Sequence, residues 1–153
     1  MITYRKAILS DVEELAKIRS IFLREMDNVS SEEERIIVEQ ANFEYFRKVL
    51  SDNAFVSWIA CDNEEIIATS GLSFSVVPPL FPITDGKVAY IMNMYTFPMY
   101  RNQGIGTELF KRIVDEAKQH GYRKITLNAT DMGRPLYEKY GFKETHGAMD
   151  FFD

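Results

Sequence analysis

Residues 88–120 constrain this chain more than any other stretch. They read VAYIMNMYTF, then PMYRNQGIGTE, then LFKRIVDEAKQH. The first piece is crowded with apolar and aromatic residues and reads as a strand. In the last, Leu109, Phe110, Ile113, Val114 and Ala117 recur at helical spacing, so a helix is expected to open near Thr107. Between the two lies Arg101-Asn102-Gln103-Gly104-Ile105-Gly106. A helix start presents unpaired N–H groups and about half a positive charge, which together draw a phosphate. Glycines at 104 and 106 put no side chain in the way of that approach. The loop reads as an anion cradle.

Spacing separates the cradles that share this chemistry. A P-loop needs Gly-x-x-x-x-Gly-Lys-Ser/Thr, and no lysine follows Gly106. A dinucleotide fingerprint needs a third glycine where Leu109 stands. What remains is Arg-x-x-Gly-x-Gly after a strand and before a helix, which resembles the pyrophosphate loop of the GNAT superfamily of acetyl-CoA-dependent N-acetyltransferases. A lone Gly-x-Gly is more often a tight turn, so the context decides. Downstream, residues 124–130 (KITLNAT) read as a strand and residues 133–142 (GRPLYEKYGF) as a short helix stopped by Gly141. Leu136-Tyr137-Glu138-Lys139-Tyr140-Gly141-Phe142 matches the family's Leu-Tyr-Glu-Lys-x-Gly-Phe segment at each specified position. Arg5, Ala7 and Asp11 resemble the family's Arg-x-Ala-x-x-x-Asp opening.

The resemblance implies an α/β fold of GNAT type, a mixed six- to seven-stranded sheet with helices on both faces. In that fold the strand before the loop and the strand after the following helix splay apart to admit the pantetheine arm of acetyl-CoA. Backbone groups near Met94, Tyr95 and Thr96 would pair with the arm, as an added strand does. The pyrophosphate would rest on the N–H groups of Gln103, Gly104, Ile105, Gly106 and Thr107, beside Asn102. Arg101 either adds charge to the phosphates or is simply solvated. Thr130 and Gly133 replace the Asn and Ala of the family's frequent Asn-x-x-Ala-x-x-Leu-Tyr pattern, which leaves Thr130 as the side chain facing the arm. Tyr137 occupies the position of the family's general acid; without the resemblance it would read as core filler.

The same resemblance implies direct attack of an amine on the thioester, with no enzyme nucleophile and no metal. Many family members carry a carboxylate on the strand before the loop. Tyr90, Asn93 and Tyr95 stand there instead. Asp131 and His146 read as surface residues, so proton loss from the amine is expected to run through water. Acceptor contacts are expected from residues 22–28, from the second helix and from the Leu80-Phe81 loop.

The 153 residues, 46% of them hydrophobic, suit one domain spanning 1–153. With 18 basic and 23 acidic residues, nothing points to nucleic acid or an anionic membrane as partner. The balance points instead to a cationic or neutral acceptor. Cys61 is the one cysteine, which excludes an intrachain disulfide, and its apolar neighbours indicate burial. The N-terminus carries no signal-peptide pattern and no run is of membrane length, so a cytoplasmic protein is expected. A homodimer is compatible with this composition.

Residues 2–7 read as a first strand. Ser10-Asp11-Val12-Glu13 reads as a capping box for a helix burying Leu15, Ile18, Phe22 and Met26. Ser31 and Glu34 form a second box, ahead of a helix with Ile37, Ala41, Tyr45 and Val49 on its apolar side. The acidic run 32–34 reads as helix-start electrostatics rather than an amine site. Residues 54–61 and 65–77 read as strands, Pro78-Pro79-Leu80-Phe81-Pro82 as a loop, and residues 142–145 and 148–152 as a closing hairpin. The expected activity is acetyl transfer from acetyl-CoA to a small-molecule or peptide amine. The alternative is a non-catalytic acyl-CoA-binding module with a regulatory or sensory role.

Overall fold

The computed structural model describes residues 1–27 and 30–153. In chain order these form β1 (Ile2–Lys6), a 3-10 turn (Leu9–Asp11), α1 (Val12–Met26), α2 (Glu32–Ser51), β2 (Phe55–Val56), β3 (Trp58–Asp62) and β4 (Glu65–Val76). There follow β5 (Lys87–Thr96), a second 3-10 turn (Pro98–Tyr100), α3 (Ile105–Gln119), β6 (Lys124–Leu127) and α4 (Arg134–Tyr140). The six strands make one mixed sheet in the order β1-β3-β4-β5-β6, with β2 also pairing β4. Only the β5–β6 pair is parallel.

Successive strand residues point to opposite faces, and the sheet uses both. Ile59 and Cys61 pack with Leu15 and Ile18 of α1 and Phe46 of α2. Between them in sequence, Ala60 packs with Ile105 and Leu109 of α3. Helices therefore cover both faces, as expected, and Cys61 is buried. No helix among the described residues is long and apolar enough to cross a membrane.

The chain's opening is pinned by charge. Arg5 donates from Nη1 and Nη2 to the two carboxylate oxygens of Asp11, at 2.8 and 2.9 Å, and Ile8 N donates to Asp11 Oδ2 at 2.8 Å. A bidentate guanidinium–carboxylate pair of this kind fixes orientation as well as distance. It aims α1 across the sheet. The expected box at Ser10 does not form, because Asp11, not Ser10, accepts at this helix start. The second box does: Ser31 Oγ accepts from Glu34 N and Glu34 Oε2 accepts from Ser31 N, at 3.2 and 3.1 Å.

Four further expectations are corrected. In α2 the buried residue is Phe46, flanked by half-buried Phe43, Val49 and Leu50, while Ile37 and Ala41 are exposed. The helix is apolar on so many sides that its pattern does not choose a face; contact with Phe55 does, at 5.6 Å between ring centroids. Met26 is 58% exposed, because it borders cavities instead of packing on the sheet. The hairpin over 142–145 and 148–152 is absent. Phe142 packs on Phe110, but Met149, Phe151 and Phe152 are about nine-tenths exposed, and a hairpin without a buried face is not stable. The sheet accordingly has six strands rather than seven. The loop after β4 turns away from the cavities: Phe81 is exposed, Ile83 is buried, and Arg123 Nη2 donates to Pro82 O at 3.2 Å.

Candidate active site

The parallel pairing of β5 with β6 runs from Val88↔Lys124 to Ile91↔Leu127 and stops there. β6 ends at Leu127, but β5 continues to Thr96, so the sheet opens into a gap beyond Ile91. A bulge sharpens the divergence. The β4–β5 register slips between Thr69 and Gly71, and Asn93 takes up the extra residue with φ +57°. Thr69 Oγ1 holds the bulge by donating to Asn93 O at 2.9 Å.

Two cavities meet in this gap. The first, about 560 Å³, runs from the start of α3 to α4. Gly104 caps α3 in the left-handed conformation, φ +81°, and no atom lies within 4 Å of a Cβ built there. The helix therefore opens at Ile105, two residues earlier than its apolar spacing indicates. Met94, Tyr95, Thr96, Arg101, Asn102, Gly104, Ile105, Gly106, Thr107 and Thr130 all line this cavity. Gln103 does not: its side chain donates back to Met99 O at 3.1 Å. Thr130 Oγ1 accepts from Gly133 N at 3.1 Å, so its hydroxyl also shapes the entry to α4.

Arg101 is neither free nor simply solvated. It donates from Nε to Thr96 O at 2.8 Å and from Nη2 to Glu25 Oε2 at 3.1 Å, and stacks over the Tyr95 ring. Glu25, on α1, also accepts from Tyr95 Oη at 2.6 Å. Burial pushes the Glu25 carboxyl up, but these two donors outweigh it and hold the group below the usual carboxylate range. The Tyr95 hydroxyl is pushed up to about 12, by burial first and then by the facing carboxylate.

The second cavity, about 520 Å³, lies between α1, α2 and the β5–β6 gap. Arg19, Asn42, Tyr45, Tyr90 and Asn93 border it alone, whereas Phe22, Met26, Met94, Thr130 and Tyr137 border both cavities. Tyr137 thus stands at the junction. It is 8% exposed, its ring packs on Phe110 at 5.0 Å, and its hydroxyl makes no hydrogen bond among the described residues. Burial raises its pKa.

Of the expected acceptor segments, α1 and α2 line the second cavity and the Leu80-Phe81 loop does not. Asn28, at the end of the expected segment 22–28, lies outside the described residues. Glu34 caps α2, and Glu32 pairs with Arg24 and Arg35, so the acidic run serves the helix start. Neither Asp131 nor His146 lines either cavity. Sequence reading missed Arg19 and did not single out Glu25 within the expected segment 22–28. The signal available was spacing: 19, 22 and 26, with 25 beside them, share one side of α1.

Comparison with known proteins agrees with this geometry. The model of the Acetyltransferase (GNAT) family matches residues 15–142. A predicted acetyltransferase from Clostridium acetobutylicum, solved with acetyl-CoA, is 38% identical, with 99% of this chain and 96% of that chain covered and a TM-score of 0.91. A GCN5-related N-acetyltransferase from Ralstonia eutropha JMP134 is 26% identical, with 99% of each chain covered and a TM-score of 0.88. Among curated relatives, the thialysine N-epsilon-acetyltransferase of Mus musculus is 32% identical over 46% of this chain. The glucosamine 6-phosphate N-acetyltransferase of Trypanosoma brucei brucei is 27% identical over 48% of it. The matched stretches span 40% and 50% of those two relatives. Because the family match runs from α1 through both cavities to the residue after Gly141, the chain belongs to the acetyltransferase (GNAT) family.

Proposed function

We propose that this chain transfers the acetyl group of acetyl-CoA to the primary amine of a small molecule, with Tyr137 as general acid. One observation carries the reading: two cavities of substrate size meet at a tyrosine whose hydroxyl has no hydrogen-bond partner among the described residues. The first would take the donor. Amides at the start of α3 and the left-handed Gly104 suit a pyrophosphate, and the stretch of β5 from Met94 to Thr96, open on its β6 side, suits the pantetheine arm. Glu25 and Thr96 O orient Arg101 at the cavity wall, so its charge is shared before any phosphate arrives.

The acceptor amine would enter from the second cavity. Its nitrogen attacks the thioester carbonyl, the C–N bond forms, and backbone N–H groups of the bulged strand stabilise charge developing on the oxygen. As the C–S bond breaks, the departing sulfur takes the Tyr137 proton. Burial keeps that hydroxyl protonated at neutral pH. The amine's own proton passes to water, since no carboxylate is among the residues bordering the second cavity. Glu25 borders the donor side, where its two hydrogen bonds make it a weak base. The names of two relatives, acting on thialysine and glucosamine 6-phosphate, support a small amine over a peptide.

A coenzyme A release assay against a panel of primary amines tests the reading. Turnover that depends on Tyr137 is expected. Tight acetyl-CoA binding with no turnover on any amine would favour a non-catalytic acyl-CoA-binding module.

A further inference from the structure

Among the described residues, Arg19 is the one charged side chain bordering the second cavity. It is partly buried on α1, and among the described residues it has no hydrogen bond and no ion pair. Other cationic groups on neighbouring surfaces do have partners: Arg5 has Asp11, Arg24 has Glu32, and Arg101 has Glu25. A guanidinium taken partly out of water without a counter-ion is unfavourable, and its planar fork matches an oxyanion. The groups facing it do not supply one, because Tyr45 and Tyr90 bring hydroxyls and Asn42 an amide, none of them a carboxylate. Burial draws the Arg19 pKa down from its usual value.

Position gives the charge a direction. Phe22 and Met26 border both cavities, but Arg19, one and two turns earlier on α1, borders the second alone. It therefore stands off the junction at which Tyr137 borders both cavities. Asn93, 3% exposed and bordering the same cavity, has both side-chain polar atoms without a partner. We propose that the acceptor is a small amine carrying an oxyanion, a carboxylate or a phosphate, which Arg19 binds in the second cavity, off the junction, while the amine faces Tyr137. This departs from the cationic or neutral acceptor that the chain's net charge indicates; the local charge of the cavity is positive. The proposal rests on the acetyltransferase reading and adds the acceptor's class.

Matched pairs of acceptors test it. Coenzyme A release is measured with β-alanine and β-alaninamide, with O-phosphoethanolamine and ethanolamine, and with spermidine, for the unmodified protein, Arg19→Gln and Arg19→Lys. In the unmodified protein the anionic member of at least one pair should exceed its neutral partner in kcat/KM by about 10- to 100-fold, the range for a charged hydrogen bond. The responding pair separates carboxylate from phosphate. Arg19→Gln should raise KM for that anionic member by the same factor, leaving KM for acetyl-CoA and for the neutral partner within about twofold. Arg19→Lys should retain part of the preference, having charge without the fork. Neutral members or spermidine used as well as the anionic ones would overturn the proposal, as would an Arg19→Gln effect equal for both members. Should Arg19→Gln fail to fold, the unmodified protein's acid-to-amide ratio decides alone. Absence of turnover with all five amines would sink the acetyltransferase reading instead. Calorimetry then decides the inference separately: binding of β-alanine or O-phosphoethanolamine that Arg19→Gln abolishes upholds it, and no binding overturns it.

Discussion

A Cβ built on Gly133 would stand 2.8 Å from the hydroxyl oxygen of Tyr137 and 2.8 Å from its Cε2. No real Cβ sits so close, so a side chain at 133 must push the tyrosine tip. Gly133→Ala should therefore displace the hydroxyl at the cavity junction while α4, entered in ordinary right-handed backbone there, still forms. Turnover is expected to fall about tenfold, part of the contribution of a positioned general acid. Acetyl-CoA affinity by calorimetry should barely move. Normal turnover would mean that the tip has room to shift without consequence.

Tyr137→Phe removes the hydroxyl and keeps the ring on Phe110. The expected loss in turnover is about 10- to 100-fold, toward the low end for general-acid catalysis because a thiol of pKa about 8.5 is already a fair leaving group. Thermal stability should hold or rise slightly, since an unpartnered, largely buried hydroxyl contributes nothing to the fold. A lower melting temperature with normal turnover would make Tyr137 a structural residue.

Gly104→Val tests the donor site. A β-branched residue at φ +81° is strained, and its side chain would project into space where no atom now lies within 4 Å. Acetyl-CoA affinity should fall by about 10- to 100-fold, the scale of a lost charge-assisted hydrogen bond. Circular dichroism should show α3 intact. Unchanged affinity in a folded variant would remove this loop from the donor site.

Glu116 offers a test of stability rather than chemistry. It is 4% exposed on α3 and accepts from Lys6 Nζ at 2.7 Å and Trp58 Nε1 at 3.0 Å, tying the helix to β1 and β3. Burial pushes its pKa up, but Lys6 and Trp58 outweigh that and leave it below its reference of 4.5. Asp11 is lowered likewise, first by the Arg5 hydrogen bonds. A carboxyl that is more acidic when folded stabilises the fold above its unfolded pKa and loses that contribution as pH falls through the folded value. Unfolding free energy should thus decline as pH drops below about 4.5. Glu116→Gln should flatten that slope and cost about 1–3 kcal/mol at pH 7 by urea titration, as Lys6 is half exposed and keeps water.

Much of the molecule is decided within a few residues of chain, and those parts were legible. A glycine ahead of an apolar helix sets the start of α3, Gly141 at φ +118° ends α4, and Ser31 with Glu34 starts α2, because caps depend on local backbone conformation and near neighbours. The strand and helix over residues 88–120 follow from such signals, and the motifs Arg101-x-x-Gly104-x-Gly106 and Leu136 to Phe142 carry the resemblance to the family. What tertiary structure decided is which side of an element meets what. α2 presents apolar residues on several sides, and the aromatic cluster with Phe55 selects Phe46. Phe22 and Met26 continue the apolar stripe of α1, but the β5–β6 gap leaves both bordering the cavities, Phe22 while it also packs against the core and Met26 largely exposed. Nothing local to Arg19 or Glu25 marks them out; that gap places one beside a cavity bordered by no carboxylate among the described residues and the other against Arg101 and Tyr95. Burial and electrostatic partnership are properties of contacts between residues distant in sequence, Glu25 and Arg101 being 76 apart, and local pattern carries no record of them.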